Sequence, residues 1–161
     1  MKIFSFYKIE RIKNLKSLKI KIIKEIQKNN IKGLVILSKE GINATIAGNS
    51  KDISNIVKYI KLILNIKKFD IENITYSSFI PFLKAKVKIK NEVVPMDYNF
   101  SFKNKITKNY LSPKKWDNLL SQKNVKIVDA RKPFEYEVGT FKGAINPNTY
   151  NFRGSKHIYL I

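Results

Sequence analysis

The sequence predicts an α+β fold: a strand–helix–strand–strand–helix–strand unit, followed by the opening helix and strand of a second, α/β unit. Three observations predict it. Two stretches place leucine and isoleucine at the spacing of one helical face, with lysine and other polar residues between them. Short apolar or alternating runs, bounded by Gly, Asn and Pro, read as strands. A Ser-Pro pair after a polar, lysine- and asparagine-rich stretch then starts a new helix.

Met1 to Ile9 carries Ile3, Phe4, Phe6, Tyr7 and Ile9 and reads as the first strand. Leu15, Leu18, Ile22 and Ile26 mark the first helix, with Asn14 placed to cap its start and Asn29-Asn30 to end it. Leu34-Val35-Ile36-Leu37 is a continuous apolar run, as a buried strand requires. Lys39-Glu40-Gly41 turns the chain, Ile42 to Ala47 alternates, and Gly48-Asn49-Ser50 turns it again. Ser50 or Asp52 is placed to cap a second helix, in which Ile53, Ile56, Val57, Ile60 and Leu64 share a face. After Asn73 comes a long strand-like stretch, broken at Pro81 and resuming through Val94. This order is the split βαβ, or ferredoxin-like, pattern, assigned to residues 1–96.

Residues 97–110 read as a linker, and 111–161 as the second unit. Ser112 at N-cap and Pro113 at N1 open a helix whose apolar face is Trp116, Leu119 and Leu120. Val125 to Asp129 reads as a strand, and Ala130 to Asn151 as a long loop. A doubly wound domain needs about 100 residues, so this is an opening only. With no neighbouring strands for Val125, Ile127 and Val128, this half is expected to be loosely ordered or aggregation-prone.

Composition narrows the chemistry. The 161 residues are 43% hydrophobic, enough for a core, and contain no apolar run long enough to cross a bilayer. Met1 to Ile9 is too short for a signal peptide, so a soluble, cytoplasmic protein is expected. There is no cysteine, which removes disulfides, thiolate metal sites and thiol nucleophiles from these residues. The single histidine, His157, leaves almost no material for Ser-His-Asp or His-metal chemistry, and no metal or cofactor site is evident. The net charge of +20 favours polyanions, above all nucleic acid. Arg11, Arg131 and Arg153 are the only arginines. Lysine, asparagine and isoleucine can all be coded by A and T alone, so genome composition is a competing source of the charge.

Three stretches carry a resemblance. Leu37 to Gly48 contains Glu40-Gly41-Ile42-Asn43-Ala44-Thr45-Ile46-Ala47-Gly48, with Ala44 where a glycine is usual. Pro81 to Val94 is a basic strand-like segment. Tyr110-Leu111-Ser112-Pro113 with Trp116, Val128-Asp129-Ala130-Arg131, and Tyr136 to Pro147 form the third, and Phe152-Arg153 extends it. Together they resemble the rhodanese-related tRNA uridine hydroxylase family, over residues 1 to about 153. The resemblance implies a ferredoxin-like domain followed by a rhodanese domain. It also implies hydroxylation of a tRNA wobble uridine at carbon 5, with molecular oxygen as co-substrate. The catalytic cysteine is expected in a later Cys-x-Gly-Gly-x-Arg-Cys loop, which these residues lack. Gly154 to Ile161 departs from what should follow Phe-Arg, so the chain is expected to be truncated within the rhodanese domain, after a frameshift or early stop, and inactive.

Each candidate site has a plainer alternative. Lys84, Lys86, Lys88 and Lys90 sit two apart, which on a strand puts them on one face with Ala85, Val87 and Ile89 on the other. They are a candidate phosphate-binding stripe for tRNA, or an edge defended against aggregation. No aromatic interleaves with them, so base stacking is not expected. Asn43 and Thr45 are candidate RNA contacts, or polar side chains bonding their own hairpin. Asp129, Arg131 and Arg153 are candidates to support the missing catalytic loop; a local Asp–Arg pair fixing the loop is the alternative. Asp129 with Glu135 or Glu137 is a carboxylate pair with nothing else behind it. An acylphosphatase reading fails for want of an arginine-bearing phosphate loop after the first strand. Two functions remain beside the hydroxylase: a non-catalytic RNA-binding module, and a rhodanese sulfurtransferase, against which the absent cysteine argues equally.

Overall fold

A computed structural model of the chain describes residues 1–94 and 111–150. The chain divides into two compact units, Met1–Val94 and Pro95–Ile161. Residues 97–110, expected to be a linker, and Arg153 and His157 lie outside the described residues.

The first unit runs β1 (Lys2–Ile9), α1 (Leu15–Lys28), β2 (Lys32–Ser38), β3 (Gly41–Gly48), α2 (Ser50–Ile63), β4 (Ile71–Tyr76) and β5 (Ala85–Ile89). The strands form one mixed sheet in the order β4-β1-β3-β2-β5. β3 lies antiparallel between β1 and β2, as the split βαβ order demands. β4 is antiparallel to β1, and β5 is parallel to β2. This is the α+β, ferredoxin-like architecture.

The core follows from two periodicities. Leu18, Ile22 and Ile26 of α1, and Ile53, Ile56 and Ile60 of α2, are the buried positions of each helix. They close on Phe4, Phe6, Val35, Leu37, Ile42 and Ile46, which alternate along three strands. Both helices therefore cover one face of the sheet. Phe69, just before β4, stacks on Phe6 at 4.2 Å and extends the cluster.

The turns correct the expected caps. Asn14 stands at the N-cap of α1 but in a left-handed conformation, φ 55°, with no side-chain capping bond. Asn49, rather than Ser50 or Asp52, caps α2, its Oδ1 accepting the Asp52 amide at 2.8 Å. At the β2–β3 turn, the buried Ser38 Oγ accepts the Glu40 amide at 2.9 Å. Gly41 has φ 153°, and a Cβ there would lie 2.0 Å from the Lys8 carbonyl oxygen. The close approach of β1 thus requires a glycine within the Glu-Gly-Ile-Asn motif. Ala44 places its methyl in the core, opposite Phe6 and Val35.

The stretch after Asn73 is also corrected. It is two strands on opposite edges of the sheet, not one interrupted strand. β4 starts earlier, at Ile71, and β5 ends at Ile89. The chain leaves one edge after Tyr76 and re-enters at the other at Ala85, with Pro81 in the crossing between them.

In the second unit, α3 (Pro113–Leu120) begins as expected, with Ser112 Oγ accepting the Lys115 amide at 3.4 Å and Pro113 in the first turn. The expected strand Val125–Asp129 is reduced to one parallel bridge, Val128 to Ile145. Its hydrogen bonds run from Asp129 N to Ile145 O and from Ile145 N to Ile127 O, both 2.9 Å. The expected long loop contains a helix, α4 (Pro133–Val138), opened by Pro133 and by Glu135, whose carboxylate accepts the Lys132 amide at 3.3 Å. No described helix is long and apolar enough to cross a membrane.

Candidate functional site

The lysine stripe sits on an edge of the first unit's sheet. Lys86 and Lys88 lie within β5, opposite Leu34 and Ile36 of β2. Lys84 and Lys90 flank the strand yet stay on its ladder: Gly33 N donates to Lys84 O at 3.1 Å, and Lys90 N to Leu37 O at 2.9 Å. All four side chains are exposed, while Val87 between them is buried under α1. The lysines therefore belong to the face that the two helices leave uncovered.

Register fixes what else lies on that face. Across the sheet, one row runs Ile71, Tyr7, Asn43, Ile36, Lys88. The next row runs Asn73, Ser5, Thr45, Leu34, Lys86. Asn43 and Thr45 are half-buried at the centre, and Thr45 Oγ1 meets Ser5 Oγ at 3.1 Å. Thr45 thus bonds across to β1, while Ser38 secures the hairpin turn.

No aromatic interleaves with the lysines on β5, but Tyr7, three strands away on β1, lies on the same face. Phe4 and Phe6 are buried beneath the helices, so the strand's alternation turns Tyr7 to the other side. The signal was present in β1, but three nearby aromatics do not reveal which of them faces inward. Burial raises the Tyr7 pKa, and the charges of Asp70 and Glu40 raise it further. The phenol stays neutral and keeps its proton at physiological pH.

The segment between β1 and α1 bears on phosphate chemistry. It carries one arginine, Arg11. Its Glu10 and Ile12 amides, however, already donate to Glu40 O and Lys39 O at 3.0 and 3.1 Å. Those two amides are engaged in holding the β2–β3 turn against β1 and cannot cradle a phosphate.

Asp129 and Arg131 form the polar node of the second unit. Arg131 Nη2 lies 2.6 Å from Asp129 Oδ2, and Nε lies 2.9 Å from Oδ1. Thr140 Oγ1 donates to Asp129 Oδ2 at 2.8 Å, and Arg131 Nη2 also donates to Gly139 O at 2.6 Å. Asn146 Nδ2 spans the carbonyls of Asp129 and Arg131, both at 2.9 Å. The hydrogen bonds from Arg131, then from Thr140, hold the Asp129 carboxyl well below the usual carboxylate range. The same pairing raises the Arg131 pKa. A fully bonded carboxylate that stays ionised at neutral pH is no general base, and Glu135 is occupied at the start of α4. Beside the node is a cleft of about 570 Å³, lined in part by Trp116, Ile127, Val128 and Phe141. Among the described residues, no cluster of His, Cys, Asp and Glu is placed to hold a metal ion.

Comparison with known proteins adds ancestry to this geometry. Residues 1–93 match the family described as UPF0176 acylphosphatase like domain. The chain is 50% identical over 151 residues to the tRNA uridine(34) hydroxylase of Pelagibacter ubique (strain HTCC1062), covering 94% of this chain and 50% of that protein. It is 37% identical over 151 residues to the tRNA uridine(34) hydroxylase of Legionella pneumophila (strain Paris), covering 94% of this chain and 59% of that one. The chain thus spans about half the length of the curated relatives it matches. Among solved structures, acylphosphatase from Bacillus subtilis is similar with a TM-score of 0.41 at 14% identity, over 56% of this chain and 99% of that one.

Proposed function

From the premise that the chain belongs to the UPF0176 family, we propose that it serves tRNA wobble-uridine hydroxylation as the RNA-holding front part of that activity. The observation that carries this reading is the 50% identity, over 94% of the chain, to a protein named tRNA uridine(34) hydroxylase. The net charge of +20 and the exposed Lys84, Lys86, Lys88 and Lys90 support a polyanionic partner, and tRNA is that partner.

The chemical step is not carried by these 161 residues. They contain no cysteine, and a serine or threonine hydroxyl does not replace a thiolate's nucleophilicity and redox chemistry at neutral pH. In this proposal Asp129 and Arg131 steady the opening of a rhodanese-like unit, and do not act on substrate. Residues 1–96 form the ferredoxin-like domain, joined by 97–110 to 111–161.

The test has two arms. The chain is expressed in a host lacking its own hydroxylase, and the tRNA nucleosides are read by mass spectrometry. No 5-hydroxyuridine is expected; its restoration would overturn the claim that these residues lack the chemistry. In vitro, tRNA affinity is expected to fall steeply as salt rises. Affinity that is undetectable, or indifferent to salt, would overturn the RNA-holding role.

A further inference from the structure

The sheet face that the helices leave uncovered is more than a basic patch. One end of it is cationic, with Lys86 and Lys88 exposed on β5. Its middle is polar, with Asn43 beside Tyr7 and the Ser5 and Thr45 hydroxyls 3.1 Å apart. Its other end is β4, where Ile71 is 45% exposed and Asn73 is exposed too. Three strand spacings separate Tyr7 from Lys88, about 14 Å in all.

This graded arrangement suits one kind of polyanion better than another. An RNA duplex hides its bases and is held through phosphates and 2′-hydroxyls, so it has no use for an aromatic set well inside the lysine edge. A single strand offers phosphates and unstacked bases together, at a separation a flat sheet can match. The lysines complement the phosphates. The neutral Tyr7 ring offers a stacking surface, and the polar side chains next to it offer hydrogen bonds to a base edge.

Resting on the RNA-holding role proposed above, we infer that this sheet face binds single-stranded RNA, with a base stacked on Tyr7 and the backbone running toward Lys86 and Lys88. Tyr7 is a binding residue in this arrangement, and duplex RNA is discriminated against.

The test uses the full chain, with a fluorescent, unstructured RNA oligomer and a blunt RNA duplex of equal charge as probes. The oligomer is expected to bind more tightly than the duplex. Tyr7→Leu should weaken the oligomer about tenfold and leave the salt dependence alone. Tyr7→Phe should retain wild-type affinity, since the ring is kept. Lys86→Gln and Lys88→Gln should each lower the salt slope by roughly one. Should Tyr7→Leu fail to fold, Tyr7→Trp in a Trp116→Phe background supplies a second reading: its fluorescence should be quenched by the oligomer and not by the duplex. Equal binding of both probes, an unaffected Tyr7→Leu, or an unquenched Tyr7→Trp would overturn the inference while leaving a basic RNA-holding surface intact. Failure of both probes to bind would sink the inference together with the RNA-holding role.

Discussion

The two units treat the same kind of side chain in opposite ways. In Met1–Val94, two amphipathic helices close over a five-stranded sheet, and Ile22, Val35, Leu37, Ile42, Ile53 and Ile56 lose all contact with solvent. In residues 111–150, neither α3 nor α4 has a buried residue, and Ala144 alone is buried among the described residues. Phe134, Val138 and Phe141 are each more than half exposed. What organises this second part is polar: the Asp129–Arg131 pair, with Thr140, Gly139 and Asn146 bonded around it. A periodic apolar pattern makes a helix; only a facing layer makes a core.

The largest expected difference lies in the response to truncating apolar side chains. Ile56→Ala should cost about 2–5 kcal/mol, because a fully buried side chain leaves a cavity. Leu119→Ala should cost less than about 1 kcal/mol, since a partly exposed side chain leaves none. Urea unfolding followed by far-ultraviolet circular dichroism measures both. Equal losses would mean that the second unit has a core as complete as the first.

The same contrast governs how much of the molecule was legible in its sequence. Both long helices of the first unit, and the faces they bury, followed from the spacing of isoleucine and leucine. That spacing is a local property which the sheet merely completes. The edge assignments of β4 and β5 were not legible, because which neighbour a strand pairs with is a tertiary fact and Pro81 marks only the break. The cap of α2 is Asn49 in place of Ser50 or Asp52: all three are suitable, and only backbone geometry selects among them. In the second unit, Val125 to Asp129 has the composition of a strand, but a ladder needs partners, and Ile145 supplies a single bridge. The helix α4 is signalled by Pro133 and Glu135, but at six residues, followed by Gly139, Gly143 and Pro147, it has no apolar periodicity to set it apart from a loop. Of the candidate sites, the lysine alternation was readable directly. Tyr7 was not, since Phe4, Phe6 and Tyr7 declare their faces only once the helices have covered one side.

A smaller effect comes from the helix caps. Asn49→Ala removes the side-chain acceptor for the Asp52 amide and should cost about 1 kcal/mol of cooperative unfolding, because α2 is locked into the core. Ser112→Ala removes the equivalent acceptor from α3, where the hydrogen bond is 3.4 Å long and the helix is exposed. It should fray α3 without shifting the main transition. A matched shift for the two variants would show that α3 and α2 unfold as one unit.

The subtlest effect is a titration. The Asp129 carboxyl has its pKa lowered in the folded state by Arg131 and Thr140. A group with a depressed folded pKa stabilises the fold above its unfolded value, near 3.9 for aspartate, and that stabilisation is lost as pH falls toward the folded value. Trp116 is the chain's single tryptophan, lines the cleft beside Asp129, and meets Phe141 edge-on at 5.8 Å. Its emission should therefore hold at about pH 4 and change only as the pH is taken well below the usual carboxylate range, where the folded-state Asp129 acquires a proton. In Asp129→Asn the emission should already be altered at neutral pH and should not respond to acid in that window. The far-ultraviolet signal of the first unit rests on apolar burial and should hold through the same range. If fluorescence and circular dichroism move together, one cooperative structure spans both units; if fluorescence moves first, the polar node is what holds the second unit in shape.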